Sequence, residues 1–402
     1  MAIIPKLAMI PSGYKDGKLY SVLPTDGIGD FDVTRGSNAT RINKDGLIET
    51  VTGNTPRLNY PLIDGVVSGC PSLLLEPSST NLFSYSEAFD NVAWSKEDLT
   101  VLPNQVISPD GTLNADLLLA NTNNTDHSIY EQTNASTEIF TVFLKAGGYN
   151  FAFLGQNNAA DTDGVFFDLI NGTVSRNSST LSASIEDYGN GWFRCSLFGS
   201  FSTNFRIICP SENGQTFSFS GDGVKGVYSW GAQLEQKSYA TSYIPTSGGA
   251  VTRFADTASQ TVPDGIIGQT EGTVFFEANV NNGFGVQLGN STSGSDYVNS
   301  YQIAISSTAT NAVSYFGGVL QFSFAGSGRT GIQKVALAYK ANDIALYING
   351  VQLATDNSAT VPTLSALIFN HVDLGTQNGD VKQTKLYNTR LSNSELQALT
   401  QV

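Results

Sequence analysis

Chemistry in this 402-residue chain would have to come from carboxylates and amides, because histidine and cysteine are scarce. The two histidines, His127 and His371, lie far apart, and neither has a cysteine at metal-ligand spacing. The sequence has no G-x-S-x-G motif, phosphate-binding loop or dinucleotide fingerprint. These observations argue against a zinc site, a serine hydrolase and a nucleotide-binding enzyme.

Carboxylates leave one catalytic alternative and one metal candidate. A glycosidase needs two carboxylates, and the best-placed strand, 273–280, offers only Glu277 followed by Asn279. Two carboxylates brought together from distant strands would restore this alternative. Asp161 and Asp163 precede a turn glycine and are calcium candidates, although the third ligand position and the distant glutamate of an EF-hand loop are missing. We therefore predict no catalytic residue and no cofactor other than calcium at this turn.

Two polar loops have the residue types that bind sugars. Saccharides stack on aromatic rings, and their hydroxyl groups pair with amides and carboxylates. Asn290, Asp296 and Tyr297 offer this combination in one loop, and Tyr149 with Asn157 offers it in another. The alternative interpretation of each loop is a solvated turn that happens to contain a tyrosine. We retain these five residues as carbohydrate-binding candidates.

Charge and composition exclude several classes of partner. The chain has 35 acidic and 21 basic residues, a net charge of −14, and no run of lysine or arginine, which argues against nucleic acid and anionic membranes. No apolar stretch approaches the ~18 residues of a membrane-spanning helix, and the first residues do not resemble a secretory leader. Only 14% of residues are charged and 40 are glycine, which favours strands and turns over long helices.

Period-two alternation and Asn-Gly pairs predict antiparallel sheets. Residues 217–220 (FSFS) and 321–324 (QFSF) alternate, and 139–144 and 165–169 are typical of buried strands. Asn349-Gly350 predicts a two-residue hairpin that places Leu346 opposite Leu353. By the same construction, Asn171-Gly172 places Leu169 opposite Val174. The fold class predicted from these patterns is all-β.

The few remaining signals concern the C-terminus and the core. Ser392 and Glu395 form a capping box, which predicts a short final helix that must dock on the sheets. The three cysteines, Cys70, Cys195 and Cys209, have no disulfide pattern, so we expect buried thiols and folding in a reducing cytoplasm. Trp192 and Trp230 lie in strand-like runs and are expected in the core rather than in a sugar site.

Composition divides the chain into three parts. Residues 1–78 contain seven prolines and are predicted to be an irregular N-terminal segment that attaches the protein to a partner or to other copies. Residues 79–250 and 262–402 each have several short strands separated by turns, the pattern of a β-sandwich. A Gly-, Pro- and Ser-rich linker over 245–272 joins the two sandwiches.

Several motifs carry a resemblance to a known family. The motifs are 34–43 (TRGSNATRIN), 73–82 (LLLEPSSTNL), 186–195 (EDYGNGWFRC), 230–235 (WGAQLE) and 238–246 (SYATSYIPT). Over these residues the chain resembles bacteriophage fibre and spike proteins that have a jelly-roll, carbohydrate-binding-module-like domain. Residues 272–402 are similar to concanavalin A-like or laminin-G-like domains, through the hairpin at 346–351 and the closing residues 386–396.

The resemblance implies a virion structural protein, a tail fibre or head fibre, that binds host cell-surface polysaccharide without catalysis. It further implies contacts of the N-terminal segment with other virion proteins, a homotrimer, and a location on the particle surface. A polysaccharide-degrading glycosidase on a concanavalin A-like fold and a purely structural capsid-decoration protein remain the alternatives.

Overall fold

The computed structural model describes residues 3–132, 138–156, 164–176, 181–200, 204–209, 218–291, 297–369 and 378–402. These residues form 35 strands and one short C-terminal helix, so the predicted all-β class is confirmed. None of the helical structure in these ranges is long and apolar enough to cross a membrane.

The middle of the chain forms a sandwich of two six-stranded antiparallel sheets, here called the middle sandwich. In spatial order, its first sheet contains β11 (Ser95–Glu97), β15 (Ser128–Gln132), β22 (Asn204–Ile208), β17 (Phe151–Gln156), β18 (Gly164–Asp168) and β19 (Thr173–Arg176). Its second sheet contains β12 (Leu99–Ile107), β13 (Leu113–Ala120), β24 (Gly226–Glu235), β16 (Glu138–Gly147), β21 (Phe193–Gly199) and β20 (Ser182–Asp187). Alternate side chains of both sheets meet in one aromatic-rich core, which includes Phe140, Phe167 and Phe205.

The terminal sandwich is one 15-stranded sheet that folds back on itself. One side contains β30 (Val319–Ser327), β29 (Ala309–Phe316), β28 (Ser300–Ser306), β27 (Glu271–Gly289), β34 (Ala366–Phe369), β26 (Thr257–Thr261), β3 (Phe31–Thr34), β2 (Lys18–Leu23) and β1 (Leu7–Lys15). The other side contains β33 (Val351–Asp356), β32 (Ile344–Ile348), β31 (Gly331–Lys340), β35 (Asn378–Tyr387), β9 (Ser72–Leu75) and β6 (Leu58–Asn59). The long strand β27 belongs to both sides, because its first half pairs with β31 and β35 and its second half with β28 and β34.

Short elements connect the two sandwiches and cover their junction. They are β4 (Ala39–Ile42), β5 (Ile48–Val51), β7 (Leu62–Ile63), β8 (Val66–Val67), β10 (Ser79–Asn81) and β25 (Val251–Arg253). A further pair, β14 (Asn124–Asp126) with β23 (Ser218–Ser220), lies beside the middle sandwich. The helix α1 (Asn393–Thr400) has the predicted capping box, and Leu391 and Leu396 are both buried against the terminal sandwich.

The N-terminal segment differs from the irregular chain that its prolines predict. Strand β1 pairs with β35, and β3 pairs with β26, so residues 7–34 share a sheet and a core with the C-terminal strands. The reason is the placement of the prolines at strand ends and irregularities. Pro5 precedes β1, Pro11 lies where the β1–β2 register shifts, and Pro24 follows β2. The middle sandwich is therefore inserted between two parts of one larger sheet.

Both predicted hairpins form, but their registers need correction. Asn349 and Gly350 both have positive φ, as the predicted turn requires, yet a bulge pairs Leu346 with Ala354 instead of Leu353. In the second hairpin Asp168 pairs with Thr173, so the loop has four residues and Phe167, not Leu169, lies opposite Val174. The Asp168 carboxylate accepts hydrogen bonds from the backbone N–H groups of residues 170 and 171, which stabilises the longer turn.

Candidate functional site

The junction between the two sandwiches contains a fully buried cluster of charges, here called the arginine cluster. Arg35, Arg57 and Arg253 surround Glu76 and Asp256, and each is at most 2% exposed. Arg57 Nη1 lies 2.7 Å from Glu76 Oε2, and Arg35 Nη1 lies 2.8 Å from Asp256 Oδ1. A second hydrogen bond joins Arg57 Nη2 to Asp256 Oδ2. The cluster ties residues far apart in sequence into one rigid junction.

Mutual attraction keeps Glu76 and Arg57 ionised despite their burial. Burial acts to raise the pKa of Glu76, but the charges of Arg253 and Arg57 and hydrogen bonds from Ser242 outweigh it and lower the pKa to about 2. Burial likewise acts to lower the pKa of Arg57, and the two carboxylates outweigh it. The arginine cluster is therefore a structural support whose loss of one partner would leave a charge buried and unpaired.

Motifs of the sequence resemblance meet around this cluster. Segment 34–43 contributes Arg35, segment 73–82 contributes Glu76, and segment 238–246 closes over both. In the same region Asn81 donates to two carbonyl groups and accepts from two backbone N–H groups. Glu235 accepts hydrogen bonds from Ser79 and Thr241. An amide at residue 81 and a carboxylate at residue 235 supply the hydrogen-bond partners that the buried polar groups around them need.

A cleft lies between the two sandwiches, and a smaller cavity that adjoins it is lined in part by Glu76 of the arginine cluster. The cleft has a volume of about 780 Å³ and joins this smaller cavity, of about 180 Å³, through shared lining residues. Strands β27 and β35 of the terminal sandwich line one side, and residues 186–188 at the end of β20 line the other. The β7–β8 hairpin covers the cleft as a roof, with Gly65 packed so closely on Gly189 that a Cβ atom would lie 2.5 Å from the Gly189 nitrogen.

The cleft is lined mainly by tyrosines, amides, hydroxyls and carboxylates. Tyr60 and Tyr188 are half-buried, and Asn59 and Asn279, both from the terminal sandwich, supply amide groups. Its charged lining residues are Asp64, Glu186, Asp187, Asp380 and Lys382, which makes the cleft acidic. Aromatic faces next to amides and carboxylates can hold a polyhydroxylated ligand, and the volume falls in the range of ordinary ligand sites.

Asp380 is the most unusual of these groups. Only 8% of the residue is exposed, and its Oδ1 atom has no hydrogen-bond partner among the described residues. Burial raises its pKa to about 6, although Ser72 and Asn279 partly oppose the shift. An unpaired buried carboxylate oxygen is costly unless a ligand supplies the missing donor. Asp380 can therefore accept a hydrogen bond from a hydroxyl or ammonium group in the cleft.

Arg194 places a positive charge in the smaller cavity that adjoins the cleft. It lines the smaller cavity, and its Nη2 donates to the Thr241 carbonyl over 2.8 Å. Burial acts to lower the pKa of Arg194, but Tyr188, Glu186 and Glu235 together raise it. Arg194 therefore stays charged and holds the loop that carries Tyr188 in place.

Of the candidate pair Tyr149 and Asn157, only Tyr149 is described, and its ring is buried rather than open to a sugar. Tyr149 is 4% exposed and packs edge-on against Phe219 in the core of the middle sandwich, with ring centroids 5.4 Å apart. Asn157, and the calcium candidates Asp161 and Asp163, lie outside the described residues. No group of three potential metal ligands occurs within the described ranges.

The predicted sugar loop with Asn290, Asp296 and Tyr297 is partly described. Tyr297 is 48% exposed and meets Tyr315 edge-on, with centroids 5.5 Å apart, and Asn290 is exposed at the end of β27. Asp296 lies outside the described residues. Their role in carbohydrate binding stays a prediction, and the structure puts Tyr297 in a different sandwich from Tyr149.

The other residues considered in the sequence have structural roles. His127 is buried, and its two ring nitrogens lie 2.7 and 2.9 Å from backbone carbonyl oxygens. Trp192 and Trp230 are core residues, as predicted. Cys195 and Cys209 are buried free thiols, but Cys70 is exposed, contrary to the prediction, because it lies in the turn-rich segment before β9. His371 lies outside the described residues.

No family model matches the chain, and no curated protein matches it. Among solved structures, the CBM40 of the Ruminococcus gnavus IT-sialidase is similar over 33% of this chain and 84% of its own, with 17% identity and a TM-score of 0.28. A leech intramolecular trans-sialidase (23% identity, 34% and 24% coverage, TM-score 0.28) and the binding domain of botulinum neurotoxin serotype D (13% identity, 36% and 40% coverage, TM-score 0.30) are similar to a comparable extent.

Proposed function

We propose that this protein is a bacteriophage virion appendage, a tail fibre or head fibre, that binds host-surface polysaccharide without hydrolysing it. The observation that carries the proposal is the cleft, in which the unpartnered oxygen of Asp380 lies among tyrosines and amides. Virion attachment and surface location come from the sequence resemblance. The arginine cluster beside the adjoining cavity suits an adhesin, because a pre-organised site loses little conformational freedom on binding.

The charges of the cleft define the class of saccharide. Four carboxylates and one lysine line it, in a chain of net charge −14. Sialylated, uronic or phosphorylated glycans would be repelled, whereas neutral sugars and amino sugars would not. The proposed ligand is therefore an uncharged or amino-bearing oligosaccharide whose hydroxyl or ammonium group donates to Asp380. Several copies on a particle would raise the effective affinity of a weak single site.

A glycan array with the full chain tests the proposal. We expect binding to neutral or amino saccharides but not to anionic ones, and a roughly tenfold to hundredfold loss in Asp380→Asn, since hydrogen bonds to charged groups contribute about 1.5–3 kcal/mol. The matched control Asp264→Asn changes an exposed aspartate outside the cleft and should bind like the wild type. Absence of saccharide binding would overturn the adhesin proposal and favour the capsid-decoration alternative.

Glycoside hydrolysis is the second candidate, favoured by one observation. Asp380, with its raised pKa, and the exposed Glu186 line the same cleft, and glycosidases combine a protonated acid with an ionised carboxylate. A reducing-sugar assay on the polysaccharide that the array identifies separates the two functions. Adhesion predicts no release of reducing ends, whereas hydrolysis predicts release that both Asp380→Asn and Glu186→Gln abolish.

A further inference from the structure

The strands β28, β29 and β30 form a part of the surface without any charge, here called the uncharged meander. From residue 297 to residue 328 the sequence contains no Asp, Glu, Lys or Arg, although the whole chain has 56 such residues. Three successive antiparallel strands in this stretch pair in order, and β30 is the last. This uncharged region therefore ends at the edge of the sheet.

Strand β30 is an open edge. Within the described ranges it pairs only with β29, so alternate backbone N–H and C=O groups along its nine residues point away from the sheet. Soluble proteins usually protect such edges with a charge, a proline or a short strand. The sequence of β30, VLQFSFAGS, has neither charge nor proline, and the strand is about 30 Å long.

Apolar side chains next to this edge are exposed. Val319 and Leu320 are 60% and 50% exposed, and Phe316 and Val298 beside them are 41% and 52% exposed. The β29–β30 turn lies against this patch, since the Gly318 nitrogen donates to the Val298 carbonyl. An apolar patch that continues an unpaired strand edge is typical of a protein–protein interface.

We propose that β30 pairs with β30 of a second copy of this chain, antiparallel across a two-fold axis. Two chains of charge −14 repel each other over most of their surfaces, and the uncharged meander lets them approach without that repulsion. A bulge at Gln321 leaves Leu320 on the outer side, where it is 50% exposed. From residue 322 onward the alternation supports self-pairing, because Phe322 and Phe324 face the core side. A register that matches even-numbered residues with even-numbered ones places these side chains of both copies on one face.

The mass of the full chain in solution tests this inference. Analytical ultracentrifugation should show twice the 42.8-kDa mass of one chain, with association strengthened at high salt because salt screens the repulsion between acidic chains. Ser323→Lys places an exposed lysine in the middle of β30, where the two-fold axis brings it close to its equivalent in the other copy. We expect this variant to be monomeric.

Thr355→Lys is the matched control. It adds the same charge at an exposed position of β33, the strand at the opposite edge of the sheet, and should remain dimeric. A monomeric wild type, a wild type of three times the chain mass (the homotrimer that the resemblance implies), or a dimer that survives Ser323→Lys would each overturn the inference. Circular dichroism of both variants identifies a loss of folding, and Leu320→Lys is a second edge variant if Ser323→Lys fails to fold.

Discussion

The cleft and the uncharged meander lie on the same sheet and have opposite chemistry. Strand β27 leads from one to the other: Asn279 in its first half lines the cleft, and its second half pairs with β28. The cleft brings carboxylates, amides and tyrosines together around Asp380 Oδ1, which has no hydrogen-bond partner in the part of the chain that the structure describes. The meander has apolar side chains and an open backbone edge. The first surface suits a small polar ligand and the second suits another polypeptide.

The two surfaces differ in how their buried polar groups are paired. Both carboxylates of the arginine cluster are paired with arginines, whereas the Oδ1 atom of Asp380 has no hydrogen-bond partner among the described residues. The uncharged meander contains no charged side chain that would need an ion-pair partner. The backbone groups of its last strand, β30, pair with β29 on one side. Four variants test whether the two surfaces are independent. Three concern the cleft and its surroundings (the arginine cluster, Asp380 and the β7–β8 hairpin), and one concerns the meander (Tyr297).

The largest effect is expected at the arginine cluster. Arg57→Met removes one partner and leaves Glu76 and Asp256 buried with less compensation, which should lower the free energy of unfolding by about 3–5 kcal/mol. Chemical denaturation measures the loss. The control Lys18→Met breaks an exposed ion pair with Asp32 and should cost less than about 1 kcal/mol. Equal effects of the two variants would contradict the supporting role of the arginine cluster.

The next effect concerns pH and Asp380. Because its folded-state pKa of about 6 lies above the ~3.9 of an unfolded aspartate, the folded state binds the proton more tightly, and stability decreases as pH rises from about 4 to 6. Asp380→Asn removes this decrease and should be about 2 kcal/mol more stable than the wild type at pH 7. Denaturation at pH 4 and 7, which bracket most of this transition, measures the difference. A variant that is both less stable and weaker in binding would indicate a structural role for Asp380.

A smaller effect is expected at the roof of the cleft. Gly65→Ala forces a Cβ atom against Gly189 at a positive φ of 71°, which should displace the β7–β8 hairpin and weaken saccharide binding. Gly69→Ala is the matched control, because its φ is 83° and no atom lies within 4 Å of the added Cβ. Backbone strain should cost each variant about 1–2 kcal/mol of stability, the clash should cost Gly65→Ala more, and only Gly65→Ala should lose affinity. Equal affinities would place the ligand elsewhere.

The smallest effect is expected at Tyr297. If saccharides bind in the cleft, Tyr297→Ser should change their affinity less than about twofold, because sites without shared contacts behave independently. Titration calorimetry with the saccharide identified on the array provides the measurement. A tenfold loss would instead support the sequence-based prediction that Asn290, Asp296 and Tyr297 bind carbohydrate, and it would remove the distinction between the two surfaces.

Local patterns of the sequence predicted elements but not their partners. The capping box at Ser392 and the turn at Asn349 formed as expected, because a few neighbouring residues determine each. The four-residue loop after Asp168 was missed because a side chain competes for the turn. The sequence did not predict the cleft as a site. The signal it contained was the set of motifs behind the resemblance, such as 186–195, whose Tyr188 and Arg194 line the cavities.

By itself, the sequence determined the all-β class, the acidic charge, the short final helix and the uncharged stretch from 297 to 328. Only the tertiary structure joined Arg35 to Asp256, 221 residues later, and placed Tyr60 and Asp380 in one cleft. The physical reason is that alternation and turn chemistry act over a few residues, whereas strand order and the pairing of buried charges depend on which distant segments meet. Closure of the sheet by β1 and β35 brought those segments together.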